Sequence, residues 1–187
     1  SYLKKFGYGD KTGIDGPGES SGRLSSPKSW GRIELATISF GQGVSVTALQ
    51  LASALSAIAN GGYLMKPHMV KKIIGPDGNV IRDNVSEVES RVISYDTAQE
   101  MTRILERVVE EGTGKKAAIP GYKVAGKTGT AQIPDPVSGG YYHDRYIASF
   151  IGFAPSDDPR ITLVVVVEAP KKMTHGGSVS APIFKQI

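Results

Sequence analysis

Residues 121–136, "GYKVAGKTGTAQIPDP", carry side chains that can be read as two incompatible chemistries. Gly121 to Thr128 fits G-x-x-x-x-G-K-[ST], the spacing of a backbone cradle for phosphate. Lys127-Thr128-Gly129-Thr130 instead places an ammonium beside two hydroxyls, a set suited to a carboxylate. Hydroxyls donate in direction and the cation supplies field. A unit-charge pair at about 4 Å gains roughly 4 kcal/mol at an effective dielectric of about 20, before desolvation is subtracted.

The phosphate reading needs a helix that starts at once after the loop, its positive end at the phosphate. Here Thr128 is followed by Gly129, Pro134, Pro136, Gly139 and Gly140, which will not sustain a helix interior. No strand ending in an aspartate for Mg²⁺ accompanies it; "LVVVVEAP" at 163–170 carries Glu168. An NTPase is therefore not expected. A strand through 127–130 makes better sense. Side chains alternate across a strand, so Thr128 and Thr130 project on the same side, and Gly129 between them leaves room for a ligand to approach the backbone. The triplet alone is a weak signal: Lys11-Thr12-Gly13 repeats it in a glycine-rich stretch without strand pattern, and reads as a turn.

Other reactive side chains form no comparable set. His68, His143 and His175 are far apart without ligand spacing, so neither a metal nor another cofactor is expected. Ser25-Ser26-Pro27-Lys28 spells S-x-x-K, which works by putting serine at a helix start with lysine one turn on. The surrounding "GRLSSPKSWGR" has no apolar helical face, so Ser25 is not expected to be a nucleophile. No S-x-N occurs: the residues two before Asn60, Asn79 and Asn84 are Ile58, Asp77 and Arg82. Asp157-Asp158 reads as a turn pair. Trp30 and Leu35 to Phe40 read as core rather than as a binding box.

The elements that must position the 127–130 strand follow from periodicity. Residues 7–32, rich in Gly, Ser and Pro, read as extended and turn-filled. Thr47 and Gln50 have capping-box spacing, and Leu51, Ala52, Leu55, Ile58 and Ala59 continue a helix that Asn60-Gly61-Gly62 stops. "MVKKII" and "NVIRD", joined by Gly75-Pro76-Asp77-Gly78, predict a hairpin. A second helix is predicted from Ser94 to Glu111, with Ala98, Met101, Ile104, Leu105, Val108 and Val109 on one face. Strands are expected over 123–132, 145–153 and 161–168, the last two joined tightly enough to be antiparallel neighbours. The fold class is α/β of the α+β kind, an antiparallel sheet flanked by helices.

The 187 residues suffice for one domain or most of a larger one. Their 40% hydrophobic and 21% charged content is that of an ordinary folded protein. The net charge of +4 is spread along the chain without a basic stripe, so nucleic acid is not an expected partner. With no cysteine there is neither a disulfide framework nor a thiolate metal site. The longest apolar run, Leu163 to Val167, is strand-sized, where a membrane-spanning helix needs about 20 residues. "SYLKKFGYGD" reads as the last turn of a helix stopped at Gly7, and "GGSVSAPIFKQI" as a helix that has barely started. Both ends thus look cut through elements, and a piece of a longer polypeptide is expected.

Six blocks then make the sequence specific: "FGYGDKTGIDGPGE" at 6–19, "ELATISFGQGVSVTALQLASALSAIANGG" at 34–62, "VVEEGTGKKA" at 108–117, "VAGKTGTAQ" at 124–132, "YIASFIGFAP" at 146–155 and "GGSVSAPIF" at 176–184. In this order they resemble the transpeptidase domain of class B penicillin-binding proteins, with subgroup features closer to the division and sporulation enzymes than to the elongation ones. The resemblance covers residues 1–187 and implies the penicillin-recognising serine transpeptidase or β-lactamase-like fold. It makes the chain the C-terminal portion of a single transpeptidase domain.

The mechanism so implied is serine acyl transfer, in which an S-x-x-K helix, an S-x-N loop and a K-T-G strand meet. Only the third is placed here; the family's order puts the others before residue 1, and the chain alone is expected to be inactive. By resemblance Lys127 and Thr130 are catalytic, the first as positive field beside the serine network, the second through its N–H as half of an oxyanion hole. Thr128, Gly129 and Thr130 would bind substrate: the threonine hydroxyls take the carboxylate of a terminal D-alanine or a β-lactam, and Gly129 keeps the strand edge open for a peptide to lie alongside. His175 would border the groove, though it reads first as a solvated loop histidine.

The implied ligands are peptidoglycan stem peptides and β-lactam antibiotics. The implied partners are division or cell-wall synthesis proteins. The resemblance also places the protein on the extracytoplasmic, periplasmic face of a bacterial membrane, held by an N-terminal anchor outside this chain. A sensor or non-catalytic binding domain on the same fold is the alternative from another class. The hydrolytic β-lactamases fit less well, because the "ELATISFGQG" to "ANGG" block argues against them.

Overall fold

A computed structural model describes residues 1–187. Helix α1 (Tyr2–Lys5) is a single turn, and Gly7 ends it at a φ of +85° that a side chain would strain. The chain then runs as turns and extended segments to Gly31, broken by one 3-10 turn at Pro27–Ser29. The Lys11-Thr12-Gly13 triplet lies in this stretch with Gly13 at a φ of +70°, a turn as expected. There the Glu19 carboxylate accepts from the Thr12 hydroxyl and from the backbone N–H groups of Thr12 and Gly13. Asp15 ties the stretch forward by accepting from the N–H groups of Met69 and Val70, which hold its carboxyl below its ordinary 3.8.

Helix α2 (Arg32–Ser39) was not foreseen, and it overturns the placement of Leu35 to Phe40 in the core. A two-turn helix buries one narrow stripe, and here only Ile38 occupies it. Ile33, Leu35 and Phe40 are 77%, 60% and 71% exposed. Trp30 is half-buried and satisfied locally, its Nε1–H donating to the hydroxyl and carbonyl of Ser25.

Helix α3 (Ala48–Ala59) begins with the predicted capping box: Thr47 accepts from Gln50 N, and the Gln50 side chain accepts from Thr47 N. Its other amide atom does something the spacing did not reveal. Gln50 is almost fully buried, and Nε2 donates to the carbonyls of Asp10 and Ser21 at 2.8 Å each. One side chain thus caps a helix and holds the extended stretch against it.

Strands β1 (Tyr63–Lys66), β2 (Lys72–Ile74), β3 (Val80–Asp83) and β4 (Glu87–Arg91) form two small antiparallel sheets, β1 with β4 and β2 with β3. The β2–β3 hairpin is the predicted one. β4 was missed because its five residues are all exposed and carry no apolar alternation. Helix α4 (Tyr95–Glu110) matches its prediction, with Ser94 as side-chain cap and Ala98, Leu105 and Val109 buried.

The main sheet contains β5 (Ala125–Pro134), β6 (Tyr141–Ala154) and β7 (Ile161–Glu168), in the order β5-β6-β7 and antiparallel throughout. The β-branched-rich stretch Ile161–Val167 and the aromatic-rich β6 suit a half-buried pleated surface. Helix α5 (Gly176–Gln186) is three turns long, not barely started. Pro182 inside it removes one backbone donor, and burial of Ala181 and Phe184 offsets that loss.

Two cores follow from the alternation of β6. Phe150 on one face is fully buried with Val109, Ala117, Val124, Val165, Ala181 and Phe184. Its ring meets Phe184 edge-on at 4.8 Å, a geometry worth about 0.5–1.5 kcal/mol beyond area burial. Phe153 on the other face is buried with Leu55, Leu105 and Ala125. No helix is long and apolar enough to cross a membrane.

Candidate functional site

β5 is an edge strand: β6 pairs along one side of it and no strand pairs along the other. It runs extended from Ala125 to Pro134 and is followed by turns, so no helix begins at Thr128 and the phosphate-cradle reading is excluded. The register sets Thr128 opposite Phe150 and Thr130 opposite Ala148, and cross-strand partners share a face. That face is the one α5 covers. Accordingly Thr130 Oγ1 accepts from the Gly176 N–H at 3.2 Å, and Gly177 sits over the Thr128 methyl group.

The close approach has a steric cause. A Cβ on Gly176 would collide with the carbonyl oxygens of Ser149 and Gly129, and one on Gly177 with the carbonyl oxygen of Thr113. The absent side chains let the first turn of α5 rest on the backbone of β5 and β6. At Gly129 a Cβ would meet only the Ser149 side chain, whose hydroxyl would have to turn aside.

The electrostatics are of one sign. Lys127 leaves the strand on the opposite face and returns its ammonium to Thr128, donating to the carbonyl at 2.8 Å and to the hydroxyl at 3.2 Å. The N-terminus of α5, the positive end of its dipole, lies beside Thr130, to which the Gly176 N–H donates. Thr128 Oγ1 also lies 2.7 Å from Thr113 Oγ1, in the loop that follows α4. Two hydroxyls and one ammonium thus converge with a helix N-terminus along this edge, a set of positive or donor-capable groups.

The four residues singled out in 127–130 are thus adjacent and on a free edge, with Thr128 and Thr130 sharing a side as the alternation required. Sequence reasoning missed Thr113, Gly176 and Gly177. The blocks that contain them were recognised, but two hydroxyls 15 positions apart in different elements leave no local pattern.

The other candidates lie apart from this set. Ser25 is exposed next to a 3-10 turn, and its hydroxyl accepts from Trp30, so no helix sets Lys28 one turn beyond it. His143 is exposed on β6. His175 is the N-cap residue of α5, with Nδ1 3.4 Å from the Thr174 hydroxyl. Asp158 pairs with Arg160 in the turn before β7, and His68 is exposed after β1.

The edge strand thus presents K-T-G-T beside a helix N-terminus, on an antiparallel sheet with helices on both faces. A family model, Penicillin binding protein transpeptidase domain, matches residues 1–187, and the chain belongs to that family. Stage V sporulation protein D of Bacillus subtilis is 46% identical over 189 residues. That match covers 100% of this chain and 29% of the relative. A probable peptidoglycan D,D-transpeptidase PenA of Neisseria flavescens is 35% identical over 188 residues, covering 100% of this chain and 44% of its own length.

Among solved structures, the apo form of penicillin binding protein 3 from Mycobacterium tuberculosis superposes with a TM-score of 0.92 at 37% identity. The match covers 99% of this chain and 43% of that one. The same protein complexed with ampicillin also gives 0.92. The chain thus spans less than half the length of these relatives. The class B resemblance read from the six blocks holds, and so does the predicted fold class.

Proposed function

We propose that this chain is the part of a peptidoglycan cross-linking D,D-transpeptidase that receives the acidic end of its donor peptide, in a protein acting through a serine acyl-enzyme. The observation that carries the reading is the pair Thr128 and Thr130 on one side of a free strand edge, with the Lys127 ammonium and the α5 N-terminus supplying positive field. In the proposed reaction a serine outside residues 1–187 attacks the carbonyl carbon before the terminal D-alanine. The D-alanine carboxylate lies on the two threonine hydroxyls. The Thr130 N–H donates to the developing oxyanion, a role whose loss typically costs about 10² to 10³ in rate. D-Alanine leaves as the amine, and the acyl group passes to an amine of a neighbouring strand. A β-lactam enters by the same contacts and remains as the acyl-enzyme.

The S-x-x-K and S-x-N elements would come from outside these residues, completing the domain. The exposed apolar side chains of α2 and the 29% to 44% coverage of the relatives support that arrangement. A sporulation role belongs to the same proposal, supported by the similarity to Stage V sporulation protein D; placement on the outer face of the cytoplasmic membrane, a division role and contacts with cell-wall synthesis proteins are added to it from the family resemblance.

The test uses the full-length protein with a fluorescent penicillin and a stem peptide ending in D-Ala-D-Ala. A covalent label and release of D-alanine are expected, both strongly reduced in Lys127→Ala while the fold is kept. Label without D-alanine release points to the sensor reading. Absence of label overturns the proposal, and wild-type acylation in Lys127→Ala removes that residue from the mechanism.

A further inference from the structure

The hydroxyl of Thr128 has one proton to give and two lone pairs to fill. Lys127 Nζ, which can only donate, occupies one lone pair at 3.2 Å. Thr113 Oγ1, at 2.7 Å, takes part in the other contact, and in that pair either hydroxyl can be the donor. The choice decides what the site can do. If Thr128 donates to Thr113, its only proton is spent inside the protein. If Thr113 donates, both lone pairs of Thr128 are filled and its proton is free for a guest. Thr130 shows the second arrangement already fixed, because the N–H of Gly176 fills a lone pair of its hydroxyl and cannot act as acceptor.

Resting on the transpeptidase reading, we propose that Thr113 is a positioning residue for the carboxylate site. Its hydroxyl donates to Thr128 Oγ1 and so aims the Thr128 proton at the incoming carboxylate. The chain of donors Thr113 to Thr128 to carboxylate polarises in one direction, each bond strengthening the next. An arriving anion selects this orientation, since it accepts and never donates. Thr113 has the placement for the task. Its carbonyl oxygen is capped so closely by α5 that Gly177 has no room for a Cβ, which holds the loop after α4 in register with β5. Thr113 itself is exposed, so changing its side chain leaves the core untouched.

The role makes a prediction that a merely structural threonine does not. In the full-length protein Thr113→Val keeps the shape and removes the donor, and Thr113→Ser keeps the donor. The second-order rate of acylation is measured with benzylpenicillin and with its methyl ester, which lacks the carboxylate. Thr113→Val should slow benzylpenicillin about three- to tenfold and leave the ester rate unchanged, with Thr113→Ser close to wild type. Wild-type acylation with an unaltered benzylpenicillin-to-ester ratio in Thr113→Val overturns the role of Thr113 alone. Equal slowing of both guests also overturns it, in favour of a structural role. Failure of the wild type to be acylated by either compound overturns the transpeptidase reading and this inference with it.

Discussion

A methyl group at Gly176 would meet the carbonyl oxygens of Ser149 and Gly129, and neither belongs to a side chain that can swing aside. Gly176→Ala therefore lifts the first turn of α5 from the sheet and breaks the N–H bond to Thr130. The expected loss is about 1–3 kcal/mol of stability, as for overpacking elsewhere. Acylation should fall with it, because the Thr130 hydroxyl loses its fixed donor. Thermal unfolding and acylation rate of the full-length variant check both; a variant with unchanged rate would mean that the α5 turn does not organise the site. At this scale the sequence was legible where chemistry is contiguous. Lys127 to Thr130 declared a strand through the alternation of hydroxyls and through the prolines that forbid a helix. Thr113 and Gly176 stayed hidden because their roles arise from contacts between elements, which no local spacing records.

Helix α3 depends on its first turn, and Gln50 does two jobs there. Thr47→Ala removes only the cap and should cost about 1 kcal/mol. Gln50→Ala also strips the donor from the carbonyls of Asp10 and Ser21 and should cost more, roughly 2–4 kcal/mol. Chemical denaturation of the two full-length variants tests the order; equal losses would reduce Gln50 to a cap. The capping box itself was readable from four residues, as were α4 and the three long strands, since each has a strong period over its own length. Among the short elements only the β2–β3 hairpin was, through its Gly-Pro-Asp-Gly turn. β1 and β4 are four and five residues long, and β4 is wholly exposed, so neither offers a stripe to detect. In α2 the apolar residues fall on several sides of a two-turn helix, and apolar content alone suggested a core that only Ile38 joins. The segment read as a helix barely started runs eleven residues as α5, Pro182 included, with Phe184 held against Phe150.

The main sheet leaves the outer side of β5 unpaired and has two buried faces built on Phe150 and Phe153. Such a free edge is an aggregation liability unless something is meant to occupy it. Here two hydroxyls, an ammonium and the start of α5 gather along it. The account stands on that edge accepting an acidic, acyl-bearing guest. A crystal structure of the full-length protein acylated by benzylpenicillin tests it most directly. The guest carboxylate is predicted within hydrogen-bond reach of Thr128 Oγ1 and Thr130 Oγ1, with the acyl oxygen on the Thr130 N–H. An acylated protein whose guest carboxylate points away from β5, leaving both hydroxyls bonded as they are without it, would contradict the account.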